Sequence, residues 1–147
     1  MKEIMEHHLL AQELGKSHFI IFALLFGSFA ENRATRISDI DIGIYVNRTV
    51  SLLEIGTIIT RLEKITNSKI DLIILNDLFK KKPVLAFESV SKGQLILCHD
   101  QEKFIEFKKN TFLYYLDTAP LRHAIDQRFR ERLSEKRLGE RNYVGKT

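Results

Sequence analysis

Asp39 and Asp41 stand two residues apart at the head of Ile40 to Val46, a run rich in β-branched residues. Side chains alternate along a strand, so both carboxylates leave the same face, with Cα atoms roughly 6.6 Å apart. Aspartate is depleted in strands, and two like charges at that spacing repel. A purely structural role would require a cationic partner for each, although aspartates are also common in strand-start turns. A pair of Mg²⁺ ions roughly 3.5 to 4 Å apart would neutralise both and be clamped by them. Magnesium usually takes one or two carboxylates and completes its shell with water and phosphate oxygens, so the site points to a nucleotide. Asp71, in the apolar run Ile70 to Leu75, is a third acid at a strand start. Gly27-Ser28, directly after the apolar run that ends at Phe26, supplies a phosphate end. Glycine lets the backbone approach an anion, and exposed N–H groups with a hydroxyl bond its oxygens.

The surrounding elements must place these groups together. Apolar spacing predicts a helix over Lys2 to Leu14, with Met5 four residues from Leu9 and Leu10 four from Leu14, ended by Gly15. His18 to Phe26 reads as a strand buried on both faces, and Ile40 to Val46 as a second, with Asp39, Asp41, Gly43 and Tyr45 on one side. A helix over Ser51 to Ile65 opens on a Ser51/Glu54 capping box and ends at Asn67. Ile70 to Leu75 is a third strand, with Asp71, Ile73 and Leu75 on one face. After the punctuation of Lys80-Lys81-Lys82-Pro83 come a short helix to about Ser91 and a fourth strand, Gln94 to Cys98. Two helical patterns follow, Glu102 to Leu116 and one carrying Leu121, Ile125, Phe129 and Leu133 at four-residue steps between arginines. That apolar line on a basic helix reads as a docking surface.

At 147 residues the chain suits one domain with an appendage. Its 44% hydrophobic and 29% charged residues are those of a globular protein, and the longest apolar run, Phe19 to Phe26, is too short to cross a bilayer. The start does not have the basic-then-apolar order of a secretory signal, and a single cysteine, Cys98, forms no internal disulfide, so a cytoplasmic location is expected. From Leu121 onward Lys and Arg number eight against four acids, which accounts for the whole formal charge of +4. A basic tail on a neutral body points to an acidic protein, a nucleotide or RNA as a local contact, and away from a DNA-coating surface. Two features are decoys. Gly139 to Thr147, GERNYVGKT, has five residues between its glycines where a phosphate loop has four, and the adjacent His7 and His8 diverge by about 100° on a helix. Lys80 to Lys82 reads as a solvated loop, with phosphate steering as its lesser reading.

Gly27-Ser28, ten residues, then Asp39-Ile40-Asp41, standing as GSFAENRATRISDID, resembles the signature of the DNA polymerase β-like nucleotidyltransferase superfamily, and IDLIIL at 70 to 75 is similar to its third-carboxylate strand. The small size and YLDTAPLR at 115 to 122 are similar to the MNT-domain antitoxins, minimal nucleotidyltransferases paired with HEPN-domain ribonuclease toxins. The core resemblance covers about residues 17 to 100. It implies an α/β (α+β) fold with a small mixed sheet flanked by helices: a nucleotidyltransferase core over 1–100 and a basic helical extension over 101–147 that binds the partner through Leu121, Ile125, Phe129 and Leu133.

The resemblance implies Mg²⁺-dependent transfer of AMP from ATP to a tyrosine hydroxyl of a cognate HEPN toxin in a hetero-oligomer. Asp39 and Asp41 would be metal ligands, Asp71 would complete a metal site and assist deprotonation of the hydroxyl, and Gly27, Ser28, Arg33 and Arg36 would meet the nucleotide. One departure from the family pattern is Glu31-Asn32 where Arg-Gly is frequent. Asparagine tolerates a left-handed backbone, but a carboxylate near a triphosphate repels unless it points outward, and Arg33 or Arg36 would have to replace the lost arginine. Two other readings stay open: a weakly active module that neutralises its toxin by occupancy, and a small-molecule nucleotidyltransferase of the aminoglycoside-modifying kind, for which the tail leaves little room.

Overall fold

A computed structural model describes residues 2–26 and 39–134, with side chains from Glu6 onward. The elements follow the expected order: α1 (Lys2–Gly15), β1 (Ile20–Phe26), β2 (Ile40–Val46), α2 (Leu52–Thr66), β3 (Ile70–Ile74), α3 (Leu78–Lys81), α4 (Pro83–Lys92), β4 (Gln94–Cys98), α5 (Gln101–Asp117) and α6 (Ala119–Ser134). The chain divides into two compact units, Met1–Tyr114 and Tyr115–Thr147.

In the first unit the four strands lie in the order β3-β2-β1-β4. β1 pairs antiparallel with both β2 and β4, and β2 pairs parallel with β3, so the sheet is mixed, as expected. α2 makes the crossover that a parallel pair requires. Its start is fixed as the sequence predicts. The Glu54 N–H donates to Ser51 Oγ at 3.2 Å and the Ser51 N–H to Glu54 Oε1 at 3.0 Å, closing the capping box. Arg48 Nη2 adds a 2.7 Å contact to the same carboxylate. Asn67 ends the helix in the left-handed conformation, φ 56°, and its N–H donates to the Glu63 carbonyl.

Strand alternation divides the core. Ile40, Ile42, Ile44 and Val46 point with Ala23 and Leu25 into a cluster completed by Leu10 and Leu14 of α1 and Ile58 and Leu62 of α2. The opposite face carries Phe22, Leu24 and Phe26 with Leu75, Leu78, Ala86 and Phe107, packed by Tyr45, Ile73 and Phe104. Phe22 anchors it, stacked on Tyr45 at 4.8 Å and edge-on to Phe104 at 5.1 Å. α5 therefore contributes aromatic rings to this core.

Gly43 is set by packing on this face: a Cβ there would lie 2.6 Å from Leu75 Cδ2. Beyond it Asn76 receives the Val46 N–H at 3.0 Å and donates Nδ2 to the Val46 carbonyl at 2.7 Å, tying off the far end of the β2–β3 pair. Lys80 and Lys81 belong to α3, and Lys82 is the joint before Pro83 opens α4. The expected punctuation is thus a helix-to-helix break, at the end of β3 opposite Asp71.

In the second unit α6 has no buried residue. No described helix is long and apolar enough to cross a membrane.

Candidate functional site

The parallel register of β2 and β3 decides the site. Asp41 is the partner of Asp71, as Ile40 is of Ile70 and Ile42 of Leu72. Neighbouring strands lie about 4.8 Å apart, so the two carboxylates share one rung and one face. Two contacts hold this register at the strand starts. The Ile40 N–H donates to the Lys69 carbonyl at 2.8 Å, and the Ile70 N–H donates to Glu63 Oε2 at 3.1 Å. Nothing in the spacing of Glu63 marked it as a support of the acidic site, because the contact depends on how α2 returns to β3.

Asp39 lies just before β2 and is half-buried, as is Asp41, while Asp71 is exposed on the outer strand. Burial raises the Asp41 carboxyl above its ordinary value, and the negative charges of Asp71 and then Asp39 raise it further, with a hydrogen bond from Asp71 adding to the effect. On the other side of Asp41, β1 ends with Phe26 as its antiparallel partner. Gly27 is the next residue in the chain, so the Gly-Ser pair follows directly on the residue opposite Asp41. Gly27, Ser28, Arg33 and Arg36, with Glu31 and Asn32, lie outside the described residues.

Among the described residues no three or more His, Cys, Asp or Glu side chains are grouped so that they could hold a metal ion. None of Asp39, Asp41 and Asp71 has an ion-pair partner among the described residues. The donor set is therefore hard oxygen, crowded with like charge and, among the described residues, without a protein cation. That chemistry fits Mg²⁺, which takes few carboxylates and leaves positions for water and phosphate. Asp39, just before β2, Asp41 in β2 and Asp71 in β3 are the residues that would supply its protein oxygens.

The family described as Polymerase beta, Nucleotidyltransferase matches residues 10–102, a span that contains the sheet and all three aspartates. The chain belongs to this nucleotidyltransferase family. A curated relative from Methanocaldococcus jannaschii, named "Putative protein adenylyltransferase", is 35% identical over 78 residues, 53% of this chain and 78% of the relative. Among solved structures, a chain from a toxin–antitoxin crystallised with AMP-PNP has the same fold with a TM-score of 0.69 at 22% identity, over 84% of this chain and 97% of that one. A chain from a complex of tri-AMPylated Shewanella oneidensis HEPN toxin with MNT antitoxin superposes with a TM-score of 0.68 at 20% identity, over 86% of this chain and 98% of that one.

The four residues expected to dock a partner, Leu121, Ile125, Phe129 and Leu133, are in α6 of the second unit and are all exposed. Sequence reasoning assigned no role to Arg122 within YLDTAPLR. Its guanidinium lies 3.8 Å over the Tyr115 ring, donates to the Tyr115 carbonyl at 2.7 Å and also bonds Thr118 Oγ1. The three- and four-residue steps from 115 to 118 to 122 were the signal that this motif is a helix-to-helix clamp.

Proposed function

We propose that this chain is an antitoxin that transfers AMP from ATP to a tyrosine hydroxyl of a cognate HEPN-domain ribonuclease toxin and so silences it. The observation that carries the reading is the shared rung of Asp41 and Asp71, with Asp39 beside it and, among the described residues, no cation paired with any of the three. The adenylyltransferase name of the curated relative and the toxin–antitoxin complexes among the fold neighbours support it.

In the reaction the tyrosine oxygen forms a bond to the α-phosphorus of ATP, the bond from that phosphorus to the bridging oxygen breaks, and pyrophosphate leaves. When bound, Mg²⁺, expected as two ions, offsets charge on the phosphates. Asp39 and Asp41 hold it from one strand face. Asp71, exposed on the neighbouring strand, receives the phenolic proton from the acceptor side. Gly27 and Ser28 bind phosphate oxygens through backbone N–H groups and a hydroxyl, and Arg33 and Arg36 supply the cations. α6 docks the toxin through Leu121, Ile125, Phe129 and Leu133 in a cytoplasmic hetero-oligomer. The 1–100 core carries the chemistry and the 101–147 extension the recognition.

A second reading, neutralisation by occupancy with weak or no transfer, is favoured by Glu31, three residues after Ser28. Incubation with ATP, Mg²⁺ and the HEPN-domain product of the adjacent gene, followed by intact mass measurement, separates the two. AMP adducts on the partner, lost with Asp39→Ala plus Asp41→Ala, are expected. Tight binding without an adduct would leave occupancy as the function.

A further inference from the structure

α6 has no residue buried beneath it, and a helix of this length gains little stability in water from its own backbone alone. At 3.6 residues per turn Leu121, Ile125, Phe129 and Leu133 form a stripe that drifts by about 40° at each four-residue step. They are 49% to 64% exposed. The charges one residue to either side of that stripe are not symmetrical. On one flank Arg122 is turned back onto Tyr115 and Thr118, and Asp126 holds Arg130 at 2.9 Å. That flank is self-neutralised.

On the other flank Arg128 and Arg132 stand one turn apart, and among the described residues neither has a hydrogen-bond or ion-pair partner. Like charges four residues apart oppose a helix. Glu131, the remaining acid of α6, forms no ion pair among the described residues. Among the described residues the helix thus presents an apolar stripe with one cationic edge that has no partner.

We infer that α6 is received by an apolar groove on its partner protein whose rim carries carboxylates only along the side that meets Arg128 and Arg132. The inference rests on α6 being the partner-binding helix. Charge complementarity names the occupant: two guanidinium groups one turn apart match a pair of carboxylates at similar spacing, while the stripe between the flanks needs an apolar lining. An RNA backbone would meet two arginines but leave four large apolar side chains against phosphate. The one-sided rim also sets direction. Turning the helix end for end in the groove would bring the carboxylates against the Asp126 flank and leave both arginines unmatched, so the wrong orientation is penalised as well as the right one favoured.

The test uses the full chain and its cognate HEPN-domain partner protein. Arg128→Glu with Arg132→Glu reverses the charge of this edge, and circular dichroism of the variant checks that α6 is retained. Binding is expected to weaken about tenfold or more at low salt, chiefly through slower association, and to lose most of its salt dependence. Arg130→Gln on the neutralised flank should change affinity by no more than about twofold. Arg128→Lys with Arg132→Lys, which keeps both charges, should retain the salt dependence, and this variant guards against misreading a folding defect. If Phe129→Asp abolishes binding while the double reversal leaves affinity and its salt dependence unchanged, α6 is the docking helix but the acidic rim is wrong. If neither change weakens binding, the docking role itself fails. A single-stranded RNA oligonucleotide that binds the native chain and is lost on the double reversal, with partner binding intact, would overturn the proposal in favour of RNA.

Discussion

Asp41 and Asp71 are partners on one rung of two parallel strands, and the negative charge of Asp71 is one of the causes that hold the Asp41 carboxyl above its ordinary value. A charged group disfavoured in the folded state costs stability at neutral pH, and a cation between the carboxylates relieves that cost. Asp41→Asn should therefore raise the melting temperature of the chain in EDTA at pH 7 while lowering AMP transfer by about a hundredfold or more. Calorimetry alongside the mass assay checks both. A variant that melts below the native chain would show that the pair is not strained as described.

Gly43 lies between Asp41 and Tyr45 on the face that carries the carboxylates, and Leu75 fills the space a side chain would need. Gly43→Ala should destabilise by about 1–3 kcal/mol, since Leu75 is fully buried and has little room to move. Leu75→Ala alone opens a cavity and should also destabilise. Combined, the two should cost less than their sum, because the new methyl occupies part of the void. Urea melts of the single and double variants give the coupling energy, and strict additivity would mean that Leu75 is not what excludes a side chain at 43.

Much of this arrangement was legible in the chain before folding was considered. Period-two alternation assigned Asp41, Gly43 and Tyr45 to one face of β2, and the opposite set, Ile40 to Val46, is buried against α1 and α2. The Ser51/Glu54 box and Asn67 marked both ends of α2 because caps are local chemistry. What pattern could not supply was register. That Asp71 pairs with Asp41 instead of a neighbour depends on where α2 returns the chain, and the contacts that set it, Glu63 with Ile70 and Lys69 with Ile40, join residues whose types carry no special signal. Arg122 was hidden for another reason, since its partners are a ring face, a carbonyl and a hydroxyl instead of a charge.

Glu63 gives a direct handle on that register. Its carboxylate accepts the Ile70 N–H at 3.1 Å, one residue before Asp71. Glu63→Ala removes the acceptor, so the Ile70 amide should exchange with solvent faster than the interior amides of β3, and AMP transfer should fall with little change in the binding of α6 to its partner. Hydrogen exchange resolved at single amides is the measurement. Unchanged protection at Ile70 would rule out this support.

Acid should weaken the start of α2. Hydrogen bonds from Arg48 and from the Ser51 backbone lower the Glu54 carboxyl from its usual 4.5 to about 2. A folded-state value below the unfolded one stabilises at pH above 4.5, and that contribution is lost as pH falls from 4.5 towards 2. Native chain and Glu54→Gln should therefore differ in urea stability at pH 7 and converge below the unfolded value. Ser51→Ala, which removes the other half of the box, should cost about 1 kcal/mol at neutral pH. A Glu54→Gln difference that persisted unchanged to pH 2.5, about the acid end of the window, would assign it to packing instead of charge.

Gly56 is the converse of Gly43. It is exposed in the middle of α2, and a Cβ built there meets nothing within 4 Å. Glycine inside a helix is less favourable than alanine by up to about 1 kcal/mol, through backbone freedom lost on folding, so the isolated fold gives no reason for it. Gly56→Ala should raise stability by about that amount and leave AMP transfer unchanged, because the outer face of α2 is on the opposite side of the sheet from Asp41. Thermal melts with the mass assay on the same preparation decide it. A loss of stability would mean that the helix is not regular at residue 56.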